Sequence, residues 1–223
     1  MIAGSDTAVI KVRDDKIEGI GPWHWLFLNG KFEPGSWNGP AAEFTQMRER
    51  VLTLVKKQEV VVTAGGCQGM YPRLWAQYFK TVYAFEPDPL NYEVMCKNCV
   101  GDQFKLMNAA LNEKSEPVNL HRIDRENVGM HSICRTNQGE QIVVNSVRLD
   151  DLKLEGLDLL QLDVEGAESF VLLGAWETIN KYRPVITVET LDTNVANFMD
   201  ANGYKSSGKV GPDTIFVPFL SAS

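Results

Sequence analysis

Glycines and acids at the ends of short apolar runs are the residues of this chain best suited to chemistry. Val60-Val61-Val62 leads into Thr63-Ala64-Gly65-Gly66-Cys67-Gln68-Gly69, and a second run, Val82-Tyr83-Ala84-Phe85, stops at Glu86. Glycines after a buried strand let the backbone turn sharply beside a ligand, and an acid about 20 positions further on can chelate a ribose diol. The spacing therefore points to a nucleotide-type ligand. Two more acids close apolar runs: Leu157-Asp158-Leu159-Leu160-Gln161-Leu162 breaks off at Asp163, and Val185-Ile186-Thr187-Val188 ends on Glu189. Ligands of open α/β sheets bind outside the carboxyl ends of the strands, so Glu86, Asp163, Glu189 and the glycine turn can share one pocket. Within it, the turn is expected to offer backbone N–H groups at a helix start. The bland reading of the glycines is a tight turn without a ligand; the distance to Glu86 favours the pocket.

Elements that could position these residues follow from periodicity. Phe44, Met47, Val51, Leu54 and Val55 recur at helical spacing ahead of the first strand, and Tyr71, Leu74, Trp75, Tyr78 and Phe79 mark a helix after the glycine turn. Pro87-Asp88-Pro89 opens a third helix, and a strand is expected over about residues 104–110. Successive strand-helix units predict a parallel sheet. Alternating stretches at 118–123 and 142–147 flank a polar insertion, about 117–147 in all, expected beside the sheet. A helix carrying Phe170, Val171 and Ile179 follows Gly166, and a hairpin near 204–219 would add an antiparallel strand at a sheet edge. Residues 1–40, with Trp23, His24, Trp25 and Trp37, form an irregular aromatic extension; 41–223 form a single domain.

Composition narrows the partners. A formal charge of −7, without an extended run of Lys or Arg, argues against nucleic acid as the main partner. No stretch approaches the roughly 20 apolar residues of a membrane span, and the N-terminus lacks a basic start and apolar middle, so a cytoplasmic protein is expected. Four cysteines are too few for a disulfide scaffold, and Cys96-Lys97-Asn98-Cys99 is half a zinc motif without its second half. Self-association is left open.

Ala64-x-Gly66-x-x-Gly69 departs from the dinucleotide fingerprint, and no Tyr-x-x-x-Lys pair supplies a dehydrogenase proton donor. The short closing hairpin and the third-strand ending, Asn108-Ala109-Ala110-Leu111, fit S-adenosylmethionine better, which ranks ahead of a nicotinamide cofactor. The combination Val82-Tyr83-Ala84-Phe85-Glu86-Pro87-Asp88-Pro89, Asn108-Ala109-Ala110-Leu111, Leu149-Asp150-Asp151-Leu152, Leu162-Asp163-Val164-Glu165-Gly166-Ala167-Glu168 and Arg183-Pro184-Val185-Ile186 resembles the FkbM-type S-adenosylmethionine-dependent methyltransferases over about residues 58–190. The resemblance implies a Rossmann-like class I methyltransferase fold: a mostly parallel seven-stranded sheet, an antiparallel closing strand and helices on both faces. It also implies O-methylation of a hydroxyl on a sugar or small metabolite. Carried over by residue, Gly65, Gly66 and Gly69 lie under the methionine part of the cofactor, Glu86 with Pro87 at its ribose, Asn108 and Ala109 near adenine, and Asp163 at the methyl-transfer mouth. Thr63 stands where family members usually carry an acid, keeping a hydroxyl but losing the charge; a cofactor-binding module without catalysis is the corresponding alternative.

Methyl transfer needs an aligned acceptor oxygen and a group to take its proton. His131, in the polar insertion, is the first candidate base and Asp163 the second. Asp163, Glu165 and Glu189 could instead hold Mg²⁺, although acids at neighbouring strand ends commonly lack a metal and no metal ligand is assigned. Glu168 is read as a helix N-terminal charge. Trp23, Trp25 and Trp37 with His24 could stack on an acceptor as a lid or plug the sheet.

Overall fold

In the computed structural model, residues 8–13, 17, 19–28, 38–123, 128–135 and 139–219 are described. Trp37 and Asn127 lie outside them. The elements are β1 (Ala8–Arg13), β2 (Trp23–Leu28), α1 (Asn38–Leu52), β3 (Val60–Ala64), α2 (Met70–Trp75), β4 (Thr81–Phe85), α3 (Pro89–Asn98), β5 (Phe104–Met107), β6 (Ala110–Leu111), β7 (Val118–Arg122), β8 (Glu140–Val144) and β9 (Ser146–Val147). A 3₁₀ turn (Leu149–Leu152) follows, then β10 (Leu159–Leu162), α4 (Glu168–Gly174), α5 (Trp176–Tyr182), β11 (Val185–Val188), α6 (Thr193–Ala201), β12 (Tyr204–Val210) and β13 (Asp213–Pro218).

Seven strands form one sheet in the order β12-β13-β11-β10-β3-β4-β5. The strands β5, β4, β3, β10 and β11 run parallel, and β13 runs antiparallel between β11 and β12. The antiparallel strand is thus one position in from the edge, because the closing hairpin inserts its second strand against β11. Chain order reverses between β3 and β10, which makes their carboxyl ends the switch point of the sheet. Both β10 and β11 are buried along their whole length, as a parallel strand covered on two faces requires.

One face packs Val62, Leu160, Ile186 and Val188 against Leu172, Ile179, Val195 and Met199; the other packs Val61, Val82, Leu159 and Ile215 against Phe44, Met47, Val51, Leu74 and Trp75. The strand expected over 104–110 ends at Met107; Ala110–Leu111 leaves the sheet to pair with β9. The single helix expected after Gly166 breaks into α4 and α5 at Ala175. Gly174 packs so closely that a Cβ there would lie 2.0 Å from the Asn112 carbonyl oxygen. Buried Asp150 then caps α5, accepting from Glu177 N, Thr178 N and Thr178 Oγ1 at 3.1, 2.9 and 2.7 Å.

Residues 23–28 are not irregular: β2 pairs antiparallel with β1. Trp23 and Trp25 stack with ring centroids 5.9 Å apart and are 0 % and 1 % exposed, so their faces cover the sheet and are closed to a ligand. Gln68 and Asn98 dock this strand pair on the glycine turn. Leu26 N donates to Gln68 Oε1 at 2.9 Å, His24 N to Asn98 Oδ1 at 2.8 Å, and Asn98 Nδ2 to Gln68 O at 2.7 Å. The insertion stands beside the sheet as expected, as the antiparallel pair β7–β8.

Candidate functional site at the carboxyl edge of the sheet

Gly65 lets the chain leave β3 against its neighbour. Its φ is +83°, and a Cβ there would lie 1.7 Å from the Asp163 carbonyl oxygen, so no side chain fits. Gly65 N and Gly66 N both donate to Phe85 O, at 3.1 and 2.8 Å; Cys67 N donates to Glu86 Oε2 at 2.7 Å and Gly69 N to Gly66 O at 2.8 Å. These amides are spent on the protein itself, contrary to the expectation that the turn offers them to a ligand. The reason is the sharpness of the turn, which aims the amides sideways at the end of β4. Cys67 adopts φ +45°, a left-handed conformation costly for a side-chain-bearing residue.

Glu86 is 4 % exposed and receives two amides, from Cys67 at Oε2 and from Asp88 at Oε1 (2.9 Å). Burial pushes its carboxyl up to about 8, outweighing those hydrogen bonds. Asn108 Nδ2 donates to the carbonyls of Glu86 and Pro87 at 2.8 and 3.0 Å, which holds the segment after β4 in place; Ala109 is buried beside it. Thr63 is 1 % exposed, and its hydroxyl reaches only the Tyr83 carbonyl, at 3.5 Å. On the neighbouring strand Gln161 Oε1 takes a 2.6 Å hydrogen bond from Trp75 Nε1.

Asp163 and Glu189 follow adjacent strands, their amides donating to Ala64 O and Leu162 O at 3.1 Å each. Carboxylate oxygens of Asp163, Glu165 and Glu189 lie within 4.8 Å of one another. Burial, then the charge of Glu189, pushes the Asp163 carboxyl well above the ordinary carboxylate range; Glu165 is raised by burial and by Glu189 as well. Like charges this close favour a shared proton. Glu165 has φ +52°, the second strained non-glycine residue at this edge. Glu168 is 1 % exposed. It is the first residue of α4, a helix N-terminal acid as expected, and it is buried.

His131 lies in the insertion, its Nδ1 3.3 Å from Asp88 Oδ2 but off the axis of a hydrogen bond. Asp88, missed as a site residue, organises this region. It caps α3 by accepting from Leu90 N and Asn91 N at 2.8 and 3.3 Å, and it takes Arg122 Nε at 2.6 Å. Burial alone would raise its carboxyl, but the nearby His131 and the hydrogen bond and charge of Arg122 outweigh that and hold it well below the usual range. Its sequence signal was the Asp-Pro step at a helix start. At the other end of the insertion, Ser132 Oγ donates to Glu165 O at 2.7 Å and Arg135 pairs with Glu165 at 2.8 Å. Residues 128–135 thus bridge from α3 to the end of β10, bringing the strip that carries His131 across the edge where Glu86 and Asp163 lie. All four cysteines are free; Cys99 is buried, its thiol pushed up to about 12 by burial.

A parallel sheet with this switch point, an acid after its second parallel strand and acids after its fourth and fifth defines a Rossmann-like methyltransferase fold. The FkbM methyltransferase domain model matches residues 71–206, and the chain belongs to that family. By class it is a methyltransferase. It is 26 % identical over 166 residues to the 2-O-methyltransferase NoeI of Sinorhizobium fredii (strain NBRC 101917 / NGR234), the match covering 64 % of this chain and 68 % of that protein. Among solved structures, the FkbM methyltransferase of Methylobacillus flagellatus KT superposes with a TM-score of 0.50 at 15 % identity, covering 71 % of this chain. The chain spans only 43 % of that protein, and the likeness concerns the fold. No helix among the described residues is long and apolar enough to cross a membrane.

Proposed function

We propose that the protein transfers the methyl group of S-adenosylmethionine to a hydroxyl oxygen of a sugar or small metabolite. One observation carries the choice of cofactor: the edge of the cleft presents acids, while the amides of Gly65, Gly66, Cys67 and Gly69 are already bonded within the protein. A dinucleotide needs amide donors for its pyrophosphate, whereas a sulfonium is a cation suited to carboxylates. The donor set fits the methyl donor. Glu86, retaining free lone pairs on both oxygens, would hold the ribose hydroxyls, with Pro87, Asn108 and Ala109 along the adenosine and Gly65, Gly66, Gly69 and Thr63 beneath the methionine.

When bound, the cofactor supplies an electrophilic methyl on sulfur: the carbon–sulfur bond breaks toward sulfur as the carbon–oxygen bond forms. This chain's residues align the acceptor and take its proton. Asp163 and His131 are the two proton acceptors in this proposal, Asp163 at the switch point and His131 held beside Asp88. The 2-O-methyltransferase name of the Sinorhizobium relative supports oxygen as the acceptor atom. Incubation with S-adenosylmethionine labelled on its methyl group and a panel of glycans and hydroxylated metabolites tests the reading. A product heavier by one methyl, stable to base as an ether is, supports it; methylation confined to nitrogen or carbon acceptors contradicts it.

A further inference from the structure

The acids after β10 and β11 carry more negative charge than the protein beside them offsets. Asp163, Glu165 and Glu189 bring oxygens within 4.8 Å of one another on half-buried side chains, which leaves the group open to solutes. Arg135 pairs with Glu165 and offsets one charge. Two further observations concern oxygens that ought to have partners. Glu168, three residues after Glu165 at the start of α4, is 1 % exposed and its Oε1 has no hydrogen-bond partner. Glu189 Oε2 is also buried without a partner. Buried carboxylate oxygens left unbonded are costly, and a cation among them removes that cost for several at once.

We propose that Asp163, Glu165 and Glu189 bind a divalent cation, with Glu168 behind them adding charge to the site. All the available donors are oxygens, which selects a hard ion; three carboxylates in an open setting suit Mg²⁺ or Mn²⁺ retaining some of its waters. If the methyl-transfer reading holds, Asp163 would then serve as a ligand and not as the base, and an acceptor hydroxyl replacing one water would lose its proton more readily to His131. The site itself does not depend on that reading.

Calorimetric titration of the full chain with MgCl₂ and MnCl₂, alongside the Mn²⁺ electron paramagnetic resonance spectrum, tests the site. Saturable binding of one ion is expected, with at least about tenfold weaker Mn²⁺ affinity in Glu189→Gln and a smaller loss in Glu168→Gln. Circular dichroism and binding of S-adenosylhomocysteine verify that each variant is folded. No saturation up to about 10 mM metal, far above the range of built oxygen sites, overturns the proposal. So does equal Mn²⁺ affinity in Glu189→Gln. Metal uptake without S-adenosylhomocysteine binding would sink the methyl-donor reading alone; the reverse would sink the cation alone.

Discussion

The two halves of the carboxyl edge solve opposite problems. After β3 and β4 the chain turns tightly, four loop amides find acceptors inside the protein, and Glu86 accepts two amides. After β10 and β11, three acids crowd together and Glu168 and Glu189 each keep an unbonded buried oxygen. The first half is shaped by backbone sterics and spends its loop amides on the protein itself; the second is charged beyond what the protein compensates. Under the proposed function, a ligand spanning both would be positioned by one half and held electrostatically by the other.

The steric half breaks most severely. Gly65→Ala should cost about 3 kcal/mol or more, since the new methyl collides with the backbone of β10 and the position has φ +83°. Gly166→Ala has a comparable φ of +99° but meets nothing within 4 Å, so only the left-handed strain of about 1–2 kcal/mol is expected. Chemical denaturation compares them, and equal losses would refute the steric distinction. Next comes Glu86→Ala, expected to weaken S-adenosylhomocysteine by about tenfold or more by calorimetry, the loss of buried hydrogen bonds to a diol.

Electrostatic changes follow. Glu86 titrates near 8 in the fold against its ordinary 4.5, so its contribution to stability is fully present below about 4.5 and is lost as pH rises through about 8. Asp163 is shifted in the same direction by burial and Glu189. In EDTA, Glu189→Gln should raise the unfolding midpoint at neutral pH and flatten its decline with rising pH, because Asp163 then ionises without a like charge beside it. A midpoint unchanged across that pH range would count against the close pair. The smallest effect belongs to Thr63→Val, less than about 1 kcal/mol in denaturation, since one long hydrogen bond at 3.5 Å is all it removes.

Strand ends were legible because apolar runs stop at Glu86, Asp163 and Glu189, and a buried parallel strand must stop before a charge. Gly65 was legible for a like reason. What stayed hidden depends on contacts distant in sequence. Trp23 and Trp25 gave no period-2 signal strong enough to mark β2, whose place is fixed by Gln68 and Asn98. The break between α4 and α5 follows from Asn112 packing on Gly174, and the capping role of Asp150 from α5, 27 residues further on. Glu168 illustrates the limit best: its place at a helix start was legible, and only the packed fold reveals that it is buried. The direction of the loop amides, likewise, belongs to the turn's conformation and not to its glycine count.

Under the proposed function, the glycine turn and Glu86 serve a methyl donor and not a dinucleotide. Isothermal titration of the full chain with S-adenosylhomocysteine and, separately, with NAD tests it most directly. One molecule of S-adenosylhomocysteine should bind per chain, with no saturable heat from NAD, and Glu86→Ala should weaken that binding. Saturable binding of NAD with none of S-adenosylhomocysteine would contradict the account.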